Sequence, residues 1–62
     1  MEIKKIWSKE DGRHKIEVFE NTFKGNSKNW SVVQTNTFTE VEFGRDIFDT
    51  KRKLNNFIKI WK

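Results

Sequence analysis

His14-Lys15-Ile16-Glu17-Val18-Phe19-Glu20-Asn21-Thr22-Phe23 alternates between two sets of side chains. Successive strand residues point to opposite faces, so Ile16 and Val18 share one side with Thr22, while Phe19 and Phe23 share the other. A run with this period, rich in β-branched and aromatic residues, reads as a strand. Its distinctive property is that both faces are partly apolar.

Working back, Lys9-Glu10-Asp11-Gly12-Arg13 contains an Asp-Gly pair, a hairpin-turn signal. Before it, Glu2 to Ser8 mixes Ile3, Ile6 and Trp7 with paired lysines, which commonly mark an edge strand. Working forward, Lys24-Gly25-Asn26-Ser27-Lys28-Asn29 is a polar loop in which Gly and Asn tolerate positive φ. Trp30 to Thr37 is a third strand, rich in Val and Thr. Phe38 to Phe43 is a fourth, with Val41 and Phe43 opposite Glu40 and Glu42. Asn36 is the one turn former between these two runs, so a long single strand and a hairpin both stay open. Gly44-Arg45-Asp46 is expected to end the strand pattern. A helix from about Asp49 to Ile60 follows, with Asp49 or Thr50 as N-cap. Leu54, Ile58 and Trp61, with Phe57 beside them, form its apolar stripe at helical spacing.

The expected fold is α+β: a small antiparallel sheet of three to four strands, with one C-terminal amphipathic helix packed on one face. Residues 1–62 form a single small domain. A chain this short buries only about 60% of the surface exposed when unfolded. It has no cysteine, which removes disulfides and thiolate metal sites and fits a reducing compartment. Three Trp and six Phe therefore carry much of the burial, against a single Leu and no Ala. The abundance of Lys, Asn, Ile and Phe, with no Pro, suggests an AT-rich coding sequence and a bacterial, phage or other viral source. No apolar run approaches a membrane span or a signal peptide. A cytoplasmic protein is expected, in the host cytoplasm if phage-encoded.

Catalysis is hard to assemble from these residues. The sole histidine, His14, follows a turn, and Ser8 and Ser27 lie in or beside loops; a nucleophile needs a positioned base and an orienting group. Glu40 and Glu42 are the ordinary polar side of an alternating strand. No phosphate-binding loop, dinucleotide fingerprint or metal-ligand spacing is present. The sequence implies no catalytic residue, metal or cofactor.

Charge is more informative. Residues 1–43 hold seven Lys/Arg and seven Asp/Glu, whereas residues 44–62 hold six basic residues against Asp46 and Asp49. The whole net charge of +4 lies in the C-terminal segment, an asymmetry that points to a polyanionic partner. On the helix, Arg52, Asn55, Lys59 and Lys62 form a stripe beside the apolar one. Lys51, Arg52 and Lys53 open the helix, where positive charge opposes the macrodipole and no following acid offers a partner. Either glutamates on the strands pair with these cations, or the cations meet a ligand. Phe19, Phe23 and Trp30 form a possible aromatic contact surface; Trp61 belongs to the core.

The entry into the helix, Phe48-Asp49-Thr50, is similar over a short stretch to that of integrase arm-type and plant AP2-type DNA-binding domains. The charge-neutral strands depart from the basic, base-reading strands of those families, and no membership is assigned. Two functional readings follow. One is a nucleic-acid-binding, most simply DNA-binding, protein that uses its basic helix. The other is a phage- or virus-type interaction module that binds a host protein, favoured if the free sheet face is flat, apolar and without nearby lysines. A homodimer through that face is compatible with either.

Overall fold

The computed structural model describes residues 1–61, and Lys62 lies outside them. Four strands, β1 (Glu2–Asp11), β2 (His14–Thr22), β3 (Lys28–Asn36) and β4 (Val41–Phe48), form one antiparallel sheet in the order β1-β2-β3-β4. The helix α1 (Lys51–Trp61) follows. Among the described residues, no helix is long and apolar enough to cross a membrane.

Each connection has a local cause. Asp11 pairs with His14, so Gly12 and Arg13 are the two central residues of the first hairpin. Gly12 has φ 61°, the positive φ at the first central position that a type II′ turn requires. The turn thus sits one residue later than the Asp-Gly pair alone implies. In the second connection, Gly25 and Asn26 have positive φ, and Phe23 N donates to Ser27 O at 2.7 Å.

The third connection resolves the open question about Asn36 in favour of a hairpin. Its side-chain oxygen accepts from Phe38 N at 2.9 Å and Thr39 N at 3.2 Å, and its carbonyl accepts from Glu40 N at 2.7 Å. A side chain that satisfies two turn amides competes well with strand continuation. Phe38 and Glu40 therefore lie in a turn, and β4 begins later than expected.

At its other end β4 runs through Gly44-Arg45-Asp46 instead of breaking there, contrary to expectation. Gly44 has no positive φ, and a Cβ there would stand at ordinary contact distance, 3.6 Å, from Gln34. This glycine is extended backbone held by its pairing with β3. The chain turns only after Phe48. Thr50 Oγ1 accepts from Lys53 N at 3.3 Å and Thr50 O from Leu54 N at 3.3 Å, so Thr50 caps α1.

Ile16, Val18, Trp30, Val32, Leu54 and Ile58 are the buried apolar side chains, with Trp7, Phe48, Phe57 and Trp61 packed around them. All lie between α1 and one face of the sheet. Among the described residues, no element covers the opposite face. Two bulges modify the alternation: Ile6 is an extra residue between Lys5 and Trp7, and Phe43 is one between Glu42 and Gly44.

Candidate nucleic-acid interface

The helix does not cover its side of the sheet evenly. Among the described residues its backbone approaches β3 and β4, and neither β1 nor β2. Phe57 faces Phe48 of β4, with ring centroids 5.5 Å apart. About 100° per residue separates successive side chains on a helix, which places Lys51, Asn55 and Lys59 on the flank away from Phe57, toward β2 and β1. The field of Lys51 is the smallest of the causes that lower the Glu20 pKa, in keeping with Lys51 lying on the β2 side.

Below that flank the side chains of α1 still bury Ile16 and Val18 of β2, and the β1 edge is the part of this side that the helix backbone does not reach. Lys4 is opposite Glu20, Trp7 opposite Val18 and Lys9 opposite Ile16, so all three share the helix side. Strict alternation would set Lys4 on the other face from Trp7 and Lys9; the bulge at Ile6 brings them together. Lys9 Nζ donates to the carbonyl of Trp61, joining the strand to the end of the helix, where cations are favourable. The result is a shelf floored by half-buried Trp7 and flanked by Lys4 and Lys9 on β1 and by Lys51, Asn55 and Lys59 on α1.

Glu2 and Asp11 stand at the two ends of β1, and Glu20 is the carboxylate between them. Glu20 is already engaged: Lys28 Nζ donates to it at 3.2 Å and Trp30 Nε1 at 3.4 Å. The Lys28 hydrogen bond is the chief reason its carboxyl lies below the ordinary range. Among the described residues, no carboxylate is within ion-pairing distance of Lys4, Lys9, Lys51, Arg52 or Lys59.

The far face is a different surface. Register places Lys5, Lys15 and Arg45 there with Glu10, Glu17 and Glu42. All three cations are paired, Lys5 and Lys15 with Glu17 at 3.5 and 3.9 Å and Arg45 with Glu42 at 2.8 Å. That last bond lowers the Glu42 pKa and raises that of Arg45. The Asn21 amide, buried on this face, donates to Asn29 Oδ1 at 2.9 Å and Ser31 Oγ at 2.7 Å. A depression of about 210 Å³ is lined by Ile3, Phe19, Asn21, Ser31, Val33 and Arg45.

Arg52, Asn55 and Lys59 are thus exposed on α1 as the stripe requires, with Lys51 beside them. Lys62, the fourth member, lies outside the described residues. Lys53 departs from the group: it is on the β4 flank and bonds the preceding Asp49 at 3.1 Å, which holds the Asp49 carboxyl below its usual range. Its partner precedes it by four residues, whereas the expectation considered only acids that follow. Of the three aromatic candidates, Trp30 is core, 8% exposed, and offers no contact surface. Phe19 is half-buried on the open face, and Phe23 is partly exposed at the β2–β3 loop. Lys4 and Lys9 went unnoticed in the sequence because their grouping depends on the bulge. Phe38 and Phe43, the two most exposed aromatic rings, were hidden by the wrong bounds of β4.

No family model, no curated protein and no solved structure matches this chain.

Proposed function

We propose that this protein is a non-enzymatic nucleic-acid-binding domain that holds phosphates along the shelf between α1 and β1. One observation carries the reading: the cations of the open face are all paired, while Lys4, Lys9, Lys51, Arg52 and Lys59 are not. Lysines of like charge gathered round a core repel one another, and a polyanion relieves that repulsion. The contacts are to phosphate, so base sequence matters little and salt matters greatly, because each contact releases counterions.

The test is affinity for labelled single- and double-stranded DNA across a salt series. Wild type should bind at low salt and weaken steeply as salt rises. Arg52→Glu with Lys59→Glu removes two contacts and adds repulsion, which should cost roughly a hundredfold or more in affinity and flatten the salt slope by about two. Both side chains point away from the Leu54–Ile58 stripe, so the fold should survive.

The second reading is a protein partner on the open face, where Ile3 and Ile47 are well exposed beside half-buried Phe19 and Val33. That face carries Lys5, Lys15 and Arg45 among its apolar groups, which weighs against it. A second copy docked there is compatible with either reading. If wild type binds no nucleic acid even at low salt, the protein partner becomes the leading reading. On composition we place the protein in the cytoplasm, that of the host if a phage encodes it.

A further inference from the structure

Two exposed aromatic rings stand at one end of the sheet, next to the shelf. We propose that they are base-stacking platforms, and that the ligand is single-stranded nucleic acid; the inference rests on the phosphate-binding reading above.

Phe38 is 77% exposed, yet it is displayed on a braced turn. Asn36 holds its amide, Thr37 N donates to Arg13 O at 2.8 Å, and Thr37 Oγ1 donates to Gly12 O at 3.3 Å. The β3–β4 turn is thereby tied to the β1–β2 turn. The Arg13 guanidinium lies 5.2 Å from the Phe38 ring centroid, over one π-face. A guanidinium there adds a cation beside a stacking surface.

Phe43 is 59% exposed and is the extra residue of the β4 bulge. Bulges re-aim side chains, and this one turns the ring to the helix side, 5.2 Å from His14. His14 in turn meets the Trp61 ring edge-on at 4.9 Å. Trp61 is where Lys9 bonds the helix end, so this aromatic row begins where the row of shelf cations finishes. The Trp61 indole N–H is buried there with no acceptor among the described residues.

Phosphate charges alone do not distinguish a duplex from a single strand. Stacking does, because a duplex encloses its bases, whereas a single strand offers each π-face to an aromatic side chain. A strand lying along Lys51, Lys59 and Lys9 would bring its next bases to Phe43 and Phe38.

The experiment measures anisotropy of labelled oligo-dT, oligo-rU and a blunt DNA duplex of equal length at low salt. It compares wild type, Phe38→Ala with Phe43→Ala, and Phe38→Leu with Phe43→Leu; circular dichroism checks the fold of each. The leucine pair keeps apolar bulk and loses the flat ring, so it stands in should the alanine pair unfold. Wild type is expected to bind single strands more tightly than duplex, and the tighter of the two single strands identifies DNA or RNA as the source. Each lost ring should weaken single-strand binding by about tenfold to a hundredfold, leaving duplex affinity and salt slope almost unchanged. Duplex bound as tightly as single strand, or single-strand affinity untouched in both variants, would overturn this inference and leave phosphate binding intact. Absence of all binding by wild type would overturn the parent reading as well.

Discussion

The two faces of the sheet use charge in opposite ways. On the open face all three cations are paired, Lys5 across strands and Lys15 within β2 with Glu17, and Arg45 within β4 with Glu42. On the helix side the core and the unpaired cations occupy the same layer, with α1 shifted toward β3 and β4. Exposed ion pairs are each worth about 0–1 kcal/mol, so the open-face pattern contributes solubility and register more than stability. The helix side has the opposite balance. Its stability comes from apolar burial; Lys28 and Lys53 are paired there with Glu20 and Asp49, while Lys4, Lys9, Lys51, Arg52 and Lys59 have no such partner among the described residues. Unpaired like charges gathered beside the core are where a ligand contribution should be sought.

The largest effect should come from the core. Leu54 is 1% exposed and packs in one cluster with Ile16, Val18 and Val32. Leu54→Ala should cost about 2–5 kcal/mol, a large share of the few to ten kcal/mol, roughly, that a domain this small possesses. Thermal melts should show it largely unfolded or strongly destabilised. Ile47→Ala on the open face, where Ile47 is 64% exposed, should cost within about 0.5 kcal/mol. An Ile47→Ala loss comparable to that of Leu54→Ala would break the comparison, because it would mean the open face is buried against a second copy.

A smaller effect separates the faces by charge. Lys4→Gln with Lys9→Gln should lower affinity for nucleic acid about tenfold and reduce the salt slope by roughly two. Lys5→Gln with Lys15→Gln removes the same formal charge from the open face. Those lysines are already paired with Glu17, and exposed charges beyond a Debye length of about 8–10 Å are screened. Titrations at matched salt should show a change within roughly threefold for that pair. Equal losses from both pairs would mean that net charge, and no particular surface, governs binding.

The sequence spoke clearly where structure is set by neighbours a few residues apart. Ile16 and Val18 alternate onto the core face and Leu54 and Ile58 recur at helical spacing, each on local geometry alone; the cap is narrowed by sequence to Asp49 or Thr50, and the Thr50 hydroxyl accepts from the Lys53 amide. Asn36 was visible as a turn former, although its choice of a hairpin depends on two amides within the next three residues. The bulges were not legible. An extra residue such as Ile6 or Phe43 has no compositional mark, and its position is decided by how β1 and β4 fit their partner strands. One slipped residue moves every later side chain to the other face, which hides the grouping of Lys4 with Lys9 and the direction of Phe43; Phe38 is exposed because it lies in the β3–β4 turn. Gly44 misled for the opposite reason: the residue is permissive, and pairing with β3 kept the strand going through it.

The smallest effect concerns Glu20, one of the carboxylates on the helix side. Its hydrogen bond from Lys28 leads the causes that lower its pKa in the folded protein, followed by the Trp30 bond and the fields of Lys28 and Lys51. A carboxylate with a depressed folded pKa contributes stability above its unfolded pKa and loses that contribution as pH falls through the folded value. Acid should therefore destabilise the wild type slightly as pH drops below the ordinary carboxylate range. Glu20→Gln should remove this component of the acid sensitivity, leaving those of Glu42 and Asp49, whose pKa values are also lowered. Binding should respond in the opposite direction. Removing the carboxylate frees Lys28 and takes a negative charge from the edge of the shelf, so affinity at neutral pH should rise by about two- to fivefold at low salt. Chemical denaturation at neutral and acid pH, paired with a titration at neutral pH, separates the two effects. A variant that loses both stability and affinity would show that Glu20 positions the lysines instead of opposing the ligand.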